Sequence, residues 1–280
     1  MEKPTKLGII AGRGIYPRLL AESARKQGVS YLFAVAFKQE TDSAIEQVVD
    51  KVAWLRLGQL EAMLNAMAAS GVKQAVMAGQ ITPTHLFSIL PDRRMLQLLG
   101  QLRIRNAETI FGTIAEELKA HGIELLPAYM FMESAMPHAG QLSRHVPTDE
   151  QQNDIDLGFK VAKATSGLEI GQTVVIKQGT ILAVEAFEGT DEAMLRAARL
   201  GGQGVVVVKV AKKGHDMRFD IPAIGMQTMK VLKKIKASVL AIEANRTILL
   251  EREKLIHRAD NIGLCLCAVD VKEDENSDSH

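Results

Sequence analysis

The stretch Leu7-Gly-Ile-Ile-Ala-Gly-Arg-Gly14, which precedes a helical pattern from about Pro17 to Gln27, decides the fold class. An apolar run that ends in glycines and leads into an amphipathic helix is typical of the first strand, turn and helix of a doubly wound sheet. The alternation continues through the first half, with elements predicted at Tyr31 to Ala36, Val52 to Leu57, Leu60 to Ala69, Gln74 to Ala78, Arg94 to Arg103 and Ala107 to His121. We therefore expect a Rossmann-like, doubly wound α/β domain over residues 1–133.

The second half predicts another α/β domain. Residues 134–150 contain two prolines and no sustained apolar periodicity, which favours a linker. Within residues 151–271 the pattern predicts helices and strands at Asp154 to Thr165, Thr173 to Lys177, Thr180 to Ala186, Glu192 to Leu200, Val205 to Val210, Ala223 to Lys236, Ser238 to Ile242, Arg252 to Asn261 and Leu264 to Val269. Residues 272–280 are acidic and polar, and we expect a disordered tail.

The composition is that of a soluble globular protein, with 47% hydrophobic and 24% charged residues. A net charge of +1 gives no bulk attraction to nucleic acid, so we expect no nucleic-acid partner. No apolar run approaches the roughly 20 residues that span a bilayer. The N-terminal residues show no signal-peptide core, and we expect a cytoplasmic protein. Cys265 and Cys267 alternate along a strand pattern, which predicts buried thiols rather than a disulfide or a zinc site.

Two glycine turns are candidate anion sites in the first half. Gly12 and Gly14 follow the first predicted strand, and Gly79 follows the strand that ends at Ala78. In a doubly wound sheet both turns open onto the edge where ligands bind, so they are candidates to hold a phosphate or part of a nucleotide. The full dinucleotide fingerprint is absent, because Pro17 occupies its third glycine position. The alternative is a pair of tight structural turns.

Charged residues concentrate in two segments of the second half. The segment Lys209 to Gly225 carries Asp216, Arg218 and Asp220 as well as Lys209, and the segment Glu185-Ala-Phe-Glu188-Gly-Thr190-Asp191 carries three carboxylates. Cations neutralise phosphate oxygens, while carboxylates hold a metal ion or orient water. The alternatives are a solvated charged loop for the first segment and a helix N-cap at Thr190 or Asp191 for the second.

These motifs together resemble those of the LpxI-type UDP-2,3-diacylglucosamine pyrophosphatases of lipid A biosynthesis. The matching stretches are Ile9 to Pro17, Ala78-Gly79, Ile170 to Gln172, Ala183 to Asp191 and Asp216 to Gly225. The resemblance extends over roughly residues 6 to 269, and the second-half motifs are its specific part.

The resemblance implies a two-domain hydrolase that cleaves the pyrophosphate of UDP-2,3-diacylglucosamine to UMP and 2,3-diacylglucosamine 1-phosphate, with Mg²⁺ as cofactor. Water would attack the β-phosphorus. It also implies that Asp220, in the motif R-x-D-x-P-x-I-G, is essential. A homodimer and transient contact with the inner-membrane surface are further expectations, the latter because the acyl chains of such a substrate stay near a membrane.

The roles of the other individual residues are assigned from the chemistry of their side chains. We expect Asp220 to bind Mg²⁺ or to position the attacking water, and Arg218 and Lys209 to neutralise phosphoryl oxygens. Glu185 and Asp191 are candidate metal or water ligands. The expected substrate-binding residues are Gly12, Gly14, Gly79, Glu188, Thr190 and Asp216.

The sequence departs from the family pattern in two places. Relatives commonly have K-P-x-Q-D where this chain has Lys212-Lys213-Gly214-His215-Asp216, and Asn106-Ala107 replaces a frequent acidic pair. Two other functions remain open at this point. One is a non-catalytic protein that binds a sugar nucleotide or an acylated sugar phosphate, and the other is a Rossmann-like oxidoreductase.

Overall fold

The fold is taken from a computed structural model, which describes residues 3–81, 91–104, 106–212, 216–219 and 221–271. Those residues divide into two compact units. The first contains the described residues up to Glu133 together with 216–219, and the second contains 134–212 and 221–271. The predicted tail at 272–280, and Asp220 with its predicted catalytic role, lie outside the described residues.

The first unit alternates strand and helix. Its described elements are β1 (Lys6–Ala11), α1 (Tyr16–Lys26), β2 (Tyr31–Phe37), a short 3-10 helix (Ser43–Gln47), β3 (Lys51–Leu55), α2 (Leu60–Ala69), β4 (Gln74–Ala78), α3 (Arg93–Gln101), α4 (Ala107–Ala120) and β5 (Glu124–Leu125). The strands form a parallel sheet in the order β3-β2-β1-β4-β5. β1 and β2 are buried along nearly their whole length, as expected for a parallel sheet that is covered on both faces.

This strand order places the topological switch point between β1 and β4. The chain runs from β1 outward to β2 and β3, and then returns to the other side of β1 as β4. Ligands of doubly wound sheets bind beside the carboxyl ends of the strands at such a point. The Rossmann-like fold predicted for this half is confirmed.

The second unit is also α/β, with a mixed sheet. Its described elements are β6 (Gly140–Gln141), α5 (Asp149–Gly167), β7 (Thr173–Lys177), β8 (Thr180–Val184), α6 (Thr190–Gly201), β9 (Val206–Lys209), β10 (Ala223–Ile224), α7 (Met226–Ile235), β11 (Val239–Glu243), β12 (Ile248–Leu249), α8 (Arg252–Ile262) and β13 (Cys265–Val269). A further 3-10 turn spans Glu133–Ala135. The main sheet has the order β6-β13-β11-β9-β7-β8, and β10 pairs separately with β12.

Helices cover both faces of the second sheet. Val206 and Val208 of β9 pack with α5 residues such as Ile155 and Phe159. Val207 packs on the opposite face, in a cluster to which α6, α7 and α8 contribute. Because successive side chains of a strand point to opposite faces, the apolar run of β9 supplies both cores. The predicted second α/β domain is therefore confirmed as a fold class.

Three local predictions were wrong. Ala223 and Ile224 begin no helix; they form β10, in parallel register with Ile248 and Leu249. The predicted linker segment contributes to the second unit, because Gly140–Gln141 pairs antiparallel with β13. The following helix, α5, begins at Asp149 rather than Asp154, since Thr148 and Gln151 form a capping box at its start.

Among the described residues, no helix is long and apolar enough to cross a membrane. Cys265 and Cys267 are buried and are not joined by a disulfide, in agreement with the prediction from their spacing.

Candidate active site

The two glycine turns of the first unit contact each other at the switch point. The amide of Gly12 donates to the carbonyl of Ala78 at 2.7 Å, and Arg13 exchanges backbone hydrogen bonds with Gln80 at 2.7 and 3.1 Å. A Cβ on Gly12 would lie 2.6 Å from the Gln80 oxygen. Gly79 has φ +91°, and a Cβ there would lie 2.7 Å from the Arg13 oxygen. The two glycines are therefore required by this close approach of backbones.

Gly14 differs from these two glycines. It has φ +92°, and a Cβ built on it meets no atom of the described residues within 4 Å. Helix α1 begins two residues later at Tyr16, with Pro17 in its first turn, no acidic residue there and no side-chain cap. A helix N-terminus of this kind presents free amides and a partial positive charge to an anion. The geometry keeps Gly14 as a candidate for close approach to a phosphate.

An apolar cavity of about 50 Å³ lies under the same strand ends of the first unit. Its walls include Ile10 of β1, Met77 of β4, Ile81, and Phe111 of α4. The ring of Phe111 packs against Phe219 with a centroid distance of 5.9 Å. Phe219 thereby attaches the described part of the Asp216 segment to the core of the first unit.

The Asp216 segment forms a charged turn on the first unit. Asp216 accepts from the Arg218 amide at 3.0 Å and from the Arg218 side chain through both carboxylate oxygens, at 2.6 to 3.0 Å. The Ala128 amide donates to the Met217 carbonyl at 2.6 Å. The hydrogen bonds and charge of Asp216 raise the pKa of the Arg218 guanidinium above its ordinary value. Arg218 thus has a fixed orientation, with Asp216 as its partner.

Four polar residues lie together at one edge of the sheet of the second unit. The sequence predicted Lys209, Glu185 and Thr190, and the structure adds Thr173. β9 and β11 run parallel, whereas β7 is antiparallel to β9 and β8 is antiparallel to β7. This arrangement places the end of β9, the start of β7 and the end of β8 at the same edge, with Thr173 directly opposite Lys209. Glu185 follows β8, and its amide donates to the Thr173 carbonyl at 2.8 Å.

Thr190 links a cation and a carboxylate in this cluster. Lys209 Nζ donates to Thr190 Oγ1 at 2.8 Å, and Thr190 Oγ1 lies 2.8 Å from Glu185 Oε1, to which it donates. Thr173 Oγ1 is 3.4 Å from Thr190 Oγ1. The second oxygen, Glu185 Oε2, is buried and has no hydrogen-bond partner among the described residues. A buried carboxylate oxygen without a partner is costly, and it is an acceptor available to a ligand or water.

Gly171 explains how Glu185 is placed. A Cβ on Gly171 would lie 2.0 Å from the Glu185 backbone oxygen, so only glycine permits the two segments to pack at this distance. Gly189, with φ +83°, ends the connection from Glu185 and precedes the first residue of α6, Thr190. The motif between Ala183 and Asp191 therefore folds so that its carboxylate and its hydroxyl meet.

Two other predicted residues have different surroundings. Glu188 pairs with Arg196 of α6 at 2.5 Å, and this contact holds the pKa of Glu188 below its usual range. Asp191 lies in the first turn of α6, where a negative charge is favourable. Among the described residues no hydrogen bond joins either carboxylate to Lys209 or Glu185.

Sequence reasoning missed three members of this region. Thr173 and Lys163 gave no signal, because a threonine in a strand and a lysine in a helix are ordinary. Glu243 did give one, since it is an acidic residue at the end of the fully buried strand β11. The same signal identified Glu185.

Asn106, in the place of the family's acidic pair, caps α4 by accepting from the Thr109 amide at 2.9 Å.

The described residues do not form a complete metal site by themselves. No group of three His, Cys, Asp or Glu side chains among them could hold a metal ion. Magnesium in phosphate chemistry commonly uses one or two carboxylates, with substrate phosphates and water as the remaining ligands. The unpartnered Glu185 Oε2 fits such a role, and the second candidate, Asp220, lies outside the described residues.

Fold and site define a two-unit α/β protein with a glycine-lined strand edge in one unit and a Lys-Thr-Glu cluster in the other. Comparison with models of known protein families identifies the family to which the chain belongs. The model of the LpxI N-terminal domain matches residues 6–135, and that of the LpxI C-terminal domain matches residues 138–267. The chain belongs to the LpxI family.

A curated relative spans the whole chain. It is the UDP-2,3-diacylglucosamine pyrophosphatase LpxI of Caulobacter vibrioides, which is 29% identical over 283 residues, covering 96% of this chain and 99% of the relative.

The similarity to solved structures is remote. The biotin carboxylase domain of the Hydrogenobacter thermophilus 2-oxoglutarate carboxylase matches 76% of this chain and 45% of its own length, at 14% identity and a TM-score of 0.29. An N5-carboxyaminoimidazole ribonucleotide synthetase in complex with ADP matches 69% and 44%, at 14% identity and a TM-score of 0.28. This chain therefore spans less than half of either structure, and likenesses at this level carry no argument.

Proposed function

We propose that this chain is a hydrolase that cleaves the pyrophosphate bond of UDP-2,3-diacylglucosamine to UMP and 2,3-diacylglucosamine 1-phosphate. The observation that carries the proposal is the Lys209–Thr190–Glu185 cluster, within a chain that belongs throughout to the LpxI family. A fixed ammonium beside a carboxylate with one oxygen that has no partner among the described residues is suited to a phosphate group and a water molecule.

The residues would divide the reaction as follows. The oxygen of water bonds to the β-phosphorus, the bond from that phosphorus to the bridging oxygen breaks, and the bridging oxygen leaves with UMP. Lys209 and Arg218 would each neutralise charge on phosphoryl oxygens, and Thr190, which contacts Lys209, would donate or accept a hydrogen bond beside that ammonium. Asp220 positions the water or holds Mg²⁺, with Glu185 and Asp191 as additional water or metal ligands. The proton that water loses passes to solvent.

Magnesium is part of the proposal. When bound it would neutralise charge on the pyrophosphate oxygens, which lowers the barrier to attack by water. Glu185 Oε2 supports its presence, since it is a buried carboxylate oxygen to which none of the described residues donates a hydrogen bond. The glycine turns at Gly12, Gly14 and Gly79 are the proposed place for nucleotide or phosphate.

The test is product analysis after incubation of the purified protein with UDP-2,3-diacylglucosamine and Mg²⁺. The proposal predicts UMP and 2,3-diacylglucosamine 1-phosphate in equal amounts, and no products with EDTA. In water labelled with ¹⁸O, the label should enter the sugar phosphate and not UMP. A folded protein that binds this substrate without releasing UMP would instead be the non-catalytic binding protein, and tight binding of a nicotinamide dinucleotide would favour the oxidoreductase.

A further inference from the structure

A buried ion pair in the second unit holds the backbone of Ala211. Lys163 of α5 and Glu243 of β11 lie 2.8 Å apart, with side chains 16% and 3% exposed. Glu243 Oε2 accepts from the Ala211 amide at 2.8 Å, and Lys163 Nζ donates to the Ala211 carbonyl at 3.0 Å. Both backbone polar groups of Ala211 are thus satisfied by side chains, after β9 has ended at Lys209.

The neighbours of Ala211 are held as well. The Val210 amide donates to the Gln172 carbonyl at 3.0 Å, and Lys212 forms an ion pair with Glu169. Three successive residues directly after Lys209 are therefore anchored to other parts of the second unit.

Stability alone is a poor explanation for this pair. Burying two charges costs desolvation energy that their attraction does not reliably repay, and an apolar pair of similar size is often at least as stable. Beyond stability, the pair fixes the orientation of one residue, because Glu243 Oε2 and Lys163 Nζ hold the amide and the carbonyl of Ala211. The residue so fixed lies two positions after Lys209, the cation of the proposed cluster.

We propose that Lys163 and Glu243 are positioning residues for the hydrolysis. They would fix the backbone that directly follows Lys209, and with it the position of the Lys209 ammonium in the cluster, without touching the substrate. This inference rests on the proposed function. It predicts that breaking the pair slows the chemical step, because small displacements of catalytic groups are costly, while substrate binding changes little.

The second unit offers a matched control. Asp154 is 3% exposed, and its carboxylate accepts from the amides of Gln178 and Gly179 at 2.9 and 2.7 Å. It is a buried carboxylate that holds backbone, as Glu243 is, but the backbone it holds is the β7–β8 turn. Asp154→Asn should therefore reproduce the structural cost of Glu243→Gln without disturbing the segment after Lys209.

The experiment compares kcat, KM and Tm for wild type, Glu243→Gln, Lys163→Met, Lys163→Arg and Asp154→Asn. We expect kcat to fall about 10- to 100-fold in Glu243→Gln and Lys163→Met, with KM changed less than about threefold. Asp154→Asn should lower Tm to a similar degree and keep its kcat, and Lys163→Arg should recover most of the loss. Hydrogen exchange at Ala211 should accelerate in Glu243→Gln and not in Asp154→Asn.

The outcomes separate the two proposals. If wild type releases no UMP, the proposed function fails, and the positioning role fails with it. If wild type is active and Glu243→Gln keeps the kcat of Asp154→Asn, only the positioning role is overturned. Should Glu243→Gln fail to fold, the Lys163 variants decide, since equal kcat values in Lys163→Met and wild type would contradict the inference.

Discussion

The hydroxyl of Thr190 accepts a hydrogen bond from Lys209 Nζ at 2.8 Å and donates one to Glu185 Oε1 at the same distance. A single hydroxyl therefore sets the spacing between the cation and the anion of the cluster. Its position as the first residue of α6 is a consequence of the turn at Gly189. Substitution of Thr190 is therefore the most direct test of the cluster.

Thr190→Val should remove both hydrogen bonds at nearly constant volume. Because it takes the Thr190 partner away from two partly buried polar groups, we expect a loss of about 1 kcal/mol in the free energy of unfolding. UMP release should fall by at least tenfold, since about 1.4 kcal/mol of lost transition-state stabilisation corresponds to that factor. Urea unfolding and steady-state rates measure the two effects.

Two controls accompany this variant. Thr190→Ser keeps the hydroxyl and should retain most of the activity. Thr180→Val changes an exposed threonine of β8 in the same sheet and should leave both quantities unchanged. Equal rates for Thr190→Val and Thr190→Ser would remove the hydroxyl from the account.

Arg218→Lys tests the two-pronged contact with Asp216. Lysine keeps the charge but cannot present two parallel donors, so orientation is lost. We expect kcat/KM to fall about 10- to 100-fold through the loss of bidentate geometry. Tm should move little, because the pair is partly exposed and such ion pairs contribute about 1 kcal/mol or less. A variant with wild-type kcat/KM would show that Arg218 acts as a point charge or not at all.

Gly12→Ala should destabilise the first unit. Its Cβ would lie 2.6 Å from the Gln80 oxygen, and separating the two turns should cost about 1–3 kcal/mol. The comparison is Gly112→Ala within α4, where a Cβ meets nothing within 4 Å. That change should stabilise the helix by about 0.5–1 kcal/mol. Thermal unfolding of both variants checks the pair, and similar Tm values would contradict the close approach of the two turns.

The lowered pKa of Asp50 predicts that part of the free energy of unfolding depends on pH. The Leu32 amide and the Arg25 guanidinium hold the pKa of Asp50 below its ordinary value. Since the folded state favours the charged form, this contribution is present above the unfolded pKa of about 3.9 and disappears as pH falls through the folded value. Asp50→Asn should therefore lower the urea midpoint at pH 7 more than in acid, at about pH 3. An equal difference at both pH values would be inconsistent with this linkage.

The sequence predicted the elements whose signal is local. α2 and β4 have the predicted bounds, because the helix has a clear apolar period and the strand ends at a glycine. The β7–β8 hairpin follows from its Gln178-Gly179 turn. The glycine turns were identified for their freedom, but their mutual contact depends on the strand order and was expected only as a shared crevice.

The remaining features depend on contacts between distant segments. Ala223-Ile224 is an apolar pair next to a helix, and it becomes a strand only because Ile248–Leu249 lies beside it. Gly140–Gln141 is likewise a strand only through its pairing with β13. The pairing of Lys163 with Glu243 required the positions of α5 and β11, which periodicity does not supply. The catalytic role assigned to Asp220 rests on the sequence motif alone.

UMP release by wild type and Asp220→Ala, with substrate binding measured on both, tests the central claim most directly. Loss of a carboxylate that positions water or metal should cost several kcal/mol in the transition state, and hence about a thousandfold or more in rate. The account predicts rapid release by wild type, release reduced by that factor in the variant, and binding largely retained. If Asp220→Ala keeps most of the activity, the assignment of the catalytic motif is wrong.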